Sequence, residues 1–116
     1  MPFERHILLL DLVEEAEAIA RYEAWHAAGA VPREIISSIR QAGITGMDIY
    51  RSGNRLVMVM ETDERFDAAR KAAADAADPA VVAWETLMST MQRPLPWAEP
   101  GIKWLEASRI FSLDEQ

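Results

Sequence analysis

Apolar residues fall in short blocks along this chain, and the spacing within each block separates strand from helix. Phe3 to Leu12 is short and apolar at its centre, with Asp11 near its end, and predicts a first strand. Glu14 to Ala28 carries Ala16, Ile19, Ala20, Tyr22 and Ala24 at helical spacing, with acids near its start, where a helix dipole favours them. Gly29 and Pro32 interrupt that helix; Ile35, Ile36, Ile39 and Ala42 resume the pattern over Arg33 to Ala42, and Gly43 offers a C-terminal stop. Ile44 to Tyr50 and Arg55 to Glu61 are strand-like runs separated by a short polar link with Gly53-Asn54, which predicts a hairpin. An Ala-rich helix is expected over Asp63 to Ala77 with Asp63 as its N-cap, and Asp78-Pro79 opens another that runs to about Met91. Arg93 to Gly101, with three prolines, reads as a loop, and Ile102 to Leu113 as a last strand.

Strand, helix, strand, strand, helix, strand is the order of the split βαβ, or ferredoxin-like, α+β fold, with helices on one face of an antiparallel sheet. The near-continuous apolar run Leu56 to Met60 suits a strand covered on both faces. Two copies packed through their open faces would give a dimeric α/β barrel, so a homodimer is expected.

Composition narrows the function. The 116 residues make one domain, 1–116. Acidic residues outnumber Lys and Arg by 19 to 12, so the surface repels phosphate backbones, and nucleic acid is not an expected partner. There is no cysteine, which removes disulfides, thiolate nucleophiles and thiolate metal sites. The longest apolar runs, Leu56 to Met60 and Ala80 to Trp84, are far short of a membrane span, and no signal-peptide pattern opens the chain. A cytoplasmic protein without membrane contact is the expectation.

Of the two histidines, His6 lies within the first strand, where packing alone explains it. His26 follows Tyr22 by four residues, so both side chains leave one face near a helix end. Imidazole titrates close to neutrality and suits proton transfer in either direction, although the same spacing also describes a packed core pair. Trp25, Trp84, Trp97 and Trp104 are many for this length; they serve a core, a dimer contact, or an aromatic platform for a pyranose. Phosphate loops, nucleophile elbows and dinucleotide fingerprints are absent, and neither histidine stands at a recognised metal-ligand spacing.

From Tyr22 onward the chain resembles the L-rhamnose mutarotase family, some of whose members are linked to L-fucose. The resemblance rests on Tyr22-Glu-Ala-Trp-His26, Pro32-Arg-Glu34-Ile35, Gly43 through Tyr50, Leu56 to Glu61, Trp84 to Met88, and Trp104 through Phe111. It implies the dimeric ferredoxin-like barrel and interconversion of the α and β anomers of a 6-deoxy-L-hexose. His26 takes the position of the proton donor, while Tyr22, Trp84, Tyr50 and Glu34 are the residues it implies for the sugar. Val31, Glu85 and Gly46-Met47 depart from the family pattern, each standing where aromatic or Asn-Tyr residues are usual. Opening a hemiacetal needs an acid and a base but no metal, nucleophile or redox cofactor. Tyr22, Glu34 or a water is available to share that work with His26. A small dimeric-barrel monooxygenase or haem-handling protein, and a non-catalytic ligand-binding or stress-response dimer, are the competing readings of the same scaffold.

Overall fold

The computed structural model describes residues 3–116. Its sheet is built around β1 (Glu4–Leu12), whose two edges are both occupied. On one side β1 pairs antiparallel with β3 (Arg55–Thr62), from Glu4 opposite Thr62 to Asp11 opposite Arg55. β3 in turn pairs with β2 (Ile44–Ser52) through a hairpin. Gly53 takes φ 58° in this turn, and the Asn54 side chain donates to the Leu12 carbonyl at 3.0 Å, tying the hairpin to the end of β1. On the other side of β1 lie two short strands, β4 (Gln92–Arg93) and β5 (Leu105–Glu106). The antiparallel pairing is that expected from the element pattern, whereas β4 lies where that pattern predicts the start of a loop.

Each expected helical region is a pair: α1 (Ala16–Trp25) with α2 (Arg33–Gln41), and α3 (Ala68–Ala77) with α4 (Pro79–Ser89). Leu8, Leu10 and Leu12 share a sheet face with Leu56, Met58 and Ile49, as the pairing register requires. Onto this face α1 brings Ile19 and Tyr22, and α4 brings Trp84, Leu87 and Met88. Together with Leu12, Leu56 and Met91 they form the core. The opposite face carries Ile7, Leu9, Val57 and Val59, all half-buried. At its Asp11 end the loop after β4 folds over, placing Trp97 on the Arg55 guanidinium, 5.1 Å from the ring centroid. Asp11 is buried there and held by two bonds from Arg55, at 2.8 and 3.2 Å, which offsets the cost of taking a carboxylate out of water.

Two expectations need correction. Asp63 does not cap α3: its carboxylate accepts from the backbone and side chain of Arg65 in a turn, and Asp67 is the N-cap, accepting from Arg70 N at 2.9 Å. The last strand is Leu105–Glu106, not Ile102 to Leu113; the chain leaves the sheet after Ala107 donates to Ile7 O. Beyond it Ile110 and Phe111 are exposed, and a short 3-10 turn covers Leu113–Glu115. Strand propensity cannot hold a segment with no neighbouring edge to pair with.

The core residues set stability. Leu12→Ala and Leu56→Ala, both truncating nearly inaccessible side chains, are each expected to cost about 2–5 kcal/mol in urea unfolding. Val82→Ala, at a site 46% exposed, should stay within about 0.5 kcal/mol.

Candidate active site

A free carbonyl at the end of a helix places the central residue of the site. The backbone N–H of His26 bonds back to Glu23 O at 3.1 Å, in a tightened last turn, so it does not take the Tyr22 carbonyl. The imidazole of His26 takes it instead, with Nδ1 2.7 Å from Tyr22 O. A carbonyl only accepts, so Nδ1 carries the hydrogen and donates. Nε2 is left as the atom free to exchange a proton, as base when the ring is neutral and as acid when it is charged. Gly29, at φ 78°, then turns the chain away into α2.

Ring contacts fix the imidazole from the sides. It stacks on the Tyr22 ring with centroids 4.2 Å apart and planes 27° from parallel. The Trp84 indole meets it edge-on at 5.6 Å, and Trp25 in turn meets Trp84 at 5.9 Å, nearly perpendicular. Trp84 stands on α4, whose start is set by Asp78 accepting from Ala80 N and by Pro79 in the first turn. Tyr22 is only 3% exposed, and burial pushes its phenol above the ordinary value, with the charge of Glu85 adding to the rise. A hydrogen bond from Gln92 opposes part of this. Tyr22 is therefore a neutral phenol at physiological pH, whose hydroxyl accepts from Gln92 and is not a phenolate base.

Three of the five residues singled out from the sequence thus come together: Tyr22, His26 and Trp84. The other two stand apart. Tyr50 is 60% exposed and lies opposite Val57, on the sheet face turned away from the helices. Glu34 is exposed in the first turn of α2, and no hydrogen bond or ring contact joins it to His26. Glu85, which stands where a second tryptophan was expected, is exposed and faces Lys103 at 4.0 Å. Trp104 packs against the same core cluster from the segment before β5.

Gln92 was not anticipated. Its Nε2 lies 3.5 Å from the Tyr22 hydroxyl, because β4 sets Gln92 beside Leu12 on the helix-covered face. No local signal marks it, since its position depends on pairing with a strand some eighty residues earlier. Among the described residues, no three histidines, aspartates or glutamates gather as a metal site. His6 joins a separate polar group, with Glu106 at 2.8 Å, Glu4 at 3.6 Å and Thr62 at 3.4 Å.

Comparison with known proteins agrees on one family. The family model described as L-rhamnose mutarotase matches residues 5–113. The L-fucose mutarotase of Xanthomonas campestris pv. campestris is 50% identical over 115 residues, covering 99% of this chain and 92% of that protein. The crystal structure of an L-rhamnose mutarotase from Formosa agariphila superposes with a TM-score of 0.68, covering 95% of this chain and 98% of its own, at 16% identity. At that identity the match speaks to fold alone.

The buried phenol carries a pH signature. Below about pH 10 Tyr22 is neutral in both folded and unfolded chains, and its contribution to stability is complete. Above that the unfolded chain ionises first while the fold retains the proton, so stability falls as pH rises through the folded value. Thermal midpoints measured from about pH 8 to 11 should therefore drop more steeply for the wild type than for Tyr22→Phe. Parallel curves would remove Tyr22 as the cause.

Proposed function

The chain belongs to the L-rhamnose mutarotase family, and from that premise we propose that it interconverts the anomers of a 6-deoxy-L-hexose, L-fucose foremost, with His26 as the proton-transfer residue. Half identity with an L-fucose mutarotase favours that sugar, and the family description keeps L-rhamnose as the second. The observation that carries the residue assignment is the Nδ1 contact with Tyr22 O, which holds one tautomer and leaves Nε2 for the substrate.

Mutarotation breaks the bond between the anomeric carbon and the ring oxygen. The anomeric hydroxyl gives up its proton, the ring oxygen gains one, and the open aldehyde re-closes on its other face with the roles reversed. His26 Nε2 removes the first proton, and the imidazolium so formed returns it on closure. Tyr22 is unsuited to be the base because burial keeps it protonated, and no hydrogen bond joins Glu34 to the imidazole. Water at the half-buried ring is left for the second transfer. Trp84 supplies an aromatic wall against which the apolar C–H face of a pyranose packs.

The same reading includes a cytoplasmic homodimer, closed sheet to sheet as a dimeric α/β barrel. Its support is exposed apolar surface. Ile7, Leu9, Val57 and Val59 line the face without helices, and Ile110, Phe111 and Leu113 are 96%, 63% and 76% exposed. The chain presents 7994 Å², where a monomer of its mass presents about 6,300 Å². The excess exceeds the roughly 800 Å² that one partner gives to a standard interface. Tyr50, on that open face, would then lie at the contact or reach toward the second copy.

Two measurements test these assignments. Exchange NMR of the anomeric protons of L-fucose and L-rhamnose should show acceleration by the wild type and a loss of about 100-fold or more in His26→Ala. A variant that exchanges anomers at the wild-type rate would rule His26 out. Light scattering should give twice the chain mass for the wild type and a single chain mass for Val59→Lys, which places a charge on the open face.

A further inference from the structure

Buried polar side-chain atoms are normally paired, because an unpaired one forfeits its hydrogen bonds to water. Among the described residues one side-chain atom breaks this rule: Gln92 Oε1, buried and without a partner. It sits beside the Tyr22 hydroxyl, the same phenol whose ring stacks on His26. The Gln92 amide spends one end on that hydroxyl, at the 3.5 Å limit of a hydrogen bond, and has nothing for the other. Exchanging the amide's nitrogen and oxygen would pair Oε1 with the phenol proton and orphan Nε2 instead. Either way one polar end is left over, on the helix-covered side of the sheet and next to the aromatic group around His26.

We propose that Gln92 is a sugar-binding residue whose unpaired amide end is completed by a hydroxyl of the bound pyranose, while its other end positions the Tyr22 phenol. This rests on the mutarotase reading above and extends it by a residue outside the His26–Tyr22–Trp84 cluster. A sugar hydroxyl both donates and accepts, so it completes the amide in either orientation. The arrangement also gives a second chain of contacts to the imidazole: hydroxyl to Gln92, Gln92 to Tyr22, and Tyr22 by stacking and by its carbonyl to His26. A change at Gln92 should therefore act mainly on sugar affinity and secondarily on the rate. It should also alter the preference between L-fucose and L-rhamnose, which present their ring hydroxyls differently.

An unpaired buried atom costs stability until its ligand arrives, so binding and folding should respond in opposite directions. Gln92→Met keeps the length of the side chain and removes both polar ends. The expected result is a KM for L-fucose raised roughly tenfold, a smaller change in kcat, and a thermal midpoint equal to or above that of the wild type. Gln92→Glu, which retains an acceptor oxygen, should fall between the two in KM. An unchanged KM in Gln92→Met overturns the proposal and assigns the amide to a structural water. Equal losses of midpoint and activity in both variants overturn it as well, making Gln92 a purely structural residue. Titration of L-fucose followed by protein NMR shifts separates this from the underlying reading. Wild type that binds the sugar without exchanging its anomers removes the mutarotase reading, and weaker binding by Gln92→Met in the same titration still upholds the contact. No binding of either sugar by the wild type overturns both.

Discussion

Burial of the Tyr22 ring against Leu12, Leu56, Met88 and Met91 is the contact through which fold and site depend on each other. One face of the ring belongs to the core that joins α1 and α4 to the sheet. Another supports the imidazole of His26, whose Nδ1 is held by the carbonyl of the same residue. A core residue is locked in place by packing at close to crystalline density, and here that rigidity passes directly to the His26 imidazole. The imidazole is placed by a stacked ring and one hydrogen bond, with no carboxylate partner.

Around this contact the sheet supplies precision and the helices supply the groups. β1 is bonded along both edges, so its register is doubly determined, and every residue at its Leu12 end is placed by that register. Gln92 reaches the Tyr22 hydroxyl only because β4 pairs with Leu12. Trp84 reaches His26 because Asp78 and Pro79 start α4 at the right turn. The chemistry proposed for these residues is modest. Moving a proton between two oxygens on one carbon needs an acid, a base and a few polar contacts to the sugar. Ile110, Phe111 and Leu113 and the open sheet face are the apolar surface that the proposed second copy would bury.

Where sequence and structure part company, the cause is a competing contact two residues away at Asp63 and long-range pairing in the C-terminal segment. The strands and helices from Glu4 to Thr62 follow the local pattern closely, because amphipathic spacing, Gly43 and the Gly53-Asn54 turn act over a few residues. Asp63 looked like a cap because it precedes an Ala-rich run, but Arg65 claims its carboxylate and the helix waits for Asp67. The segment from Ile102 looked like a strand because it is apolar, yet only Leu105 and Glu106 find an edge of β1 to pair with. Tyr50 and Glu34 share short motifs with the family resemblance, but Tyr50 lies on the sheet face away from the helices and no hydrogen bond joins Glu34 to His26.

By itself the sequence determined the elements from β1 to α4, the antiparallel sheet of an α+β fold, the proximity of Tyr22 and His26 at one helix end, and the family to which the chain belongs. These are properties of spacing, turn chemistry and motif, all of which act locally. Only the tertiary structure decided which imidazole nitrogen is free, that the Tyr22 phenol stays neutral, that Trp84 closes on the histidine, and that Gln92 joins them with one amide end unpaired. Apart from the His26–Tyr22 hydrogen bond, which spans four residues, those features depend on burial and on contacts between residues far apart in the chain. Burial and hydrogen-bond partners belong to the packed molecule, and no run of neighbouring residues encodes them alone.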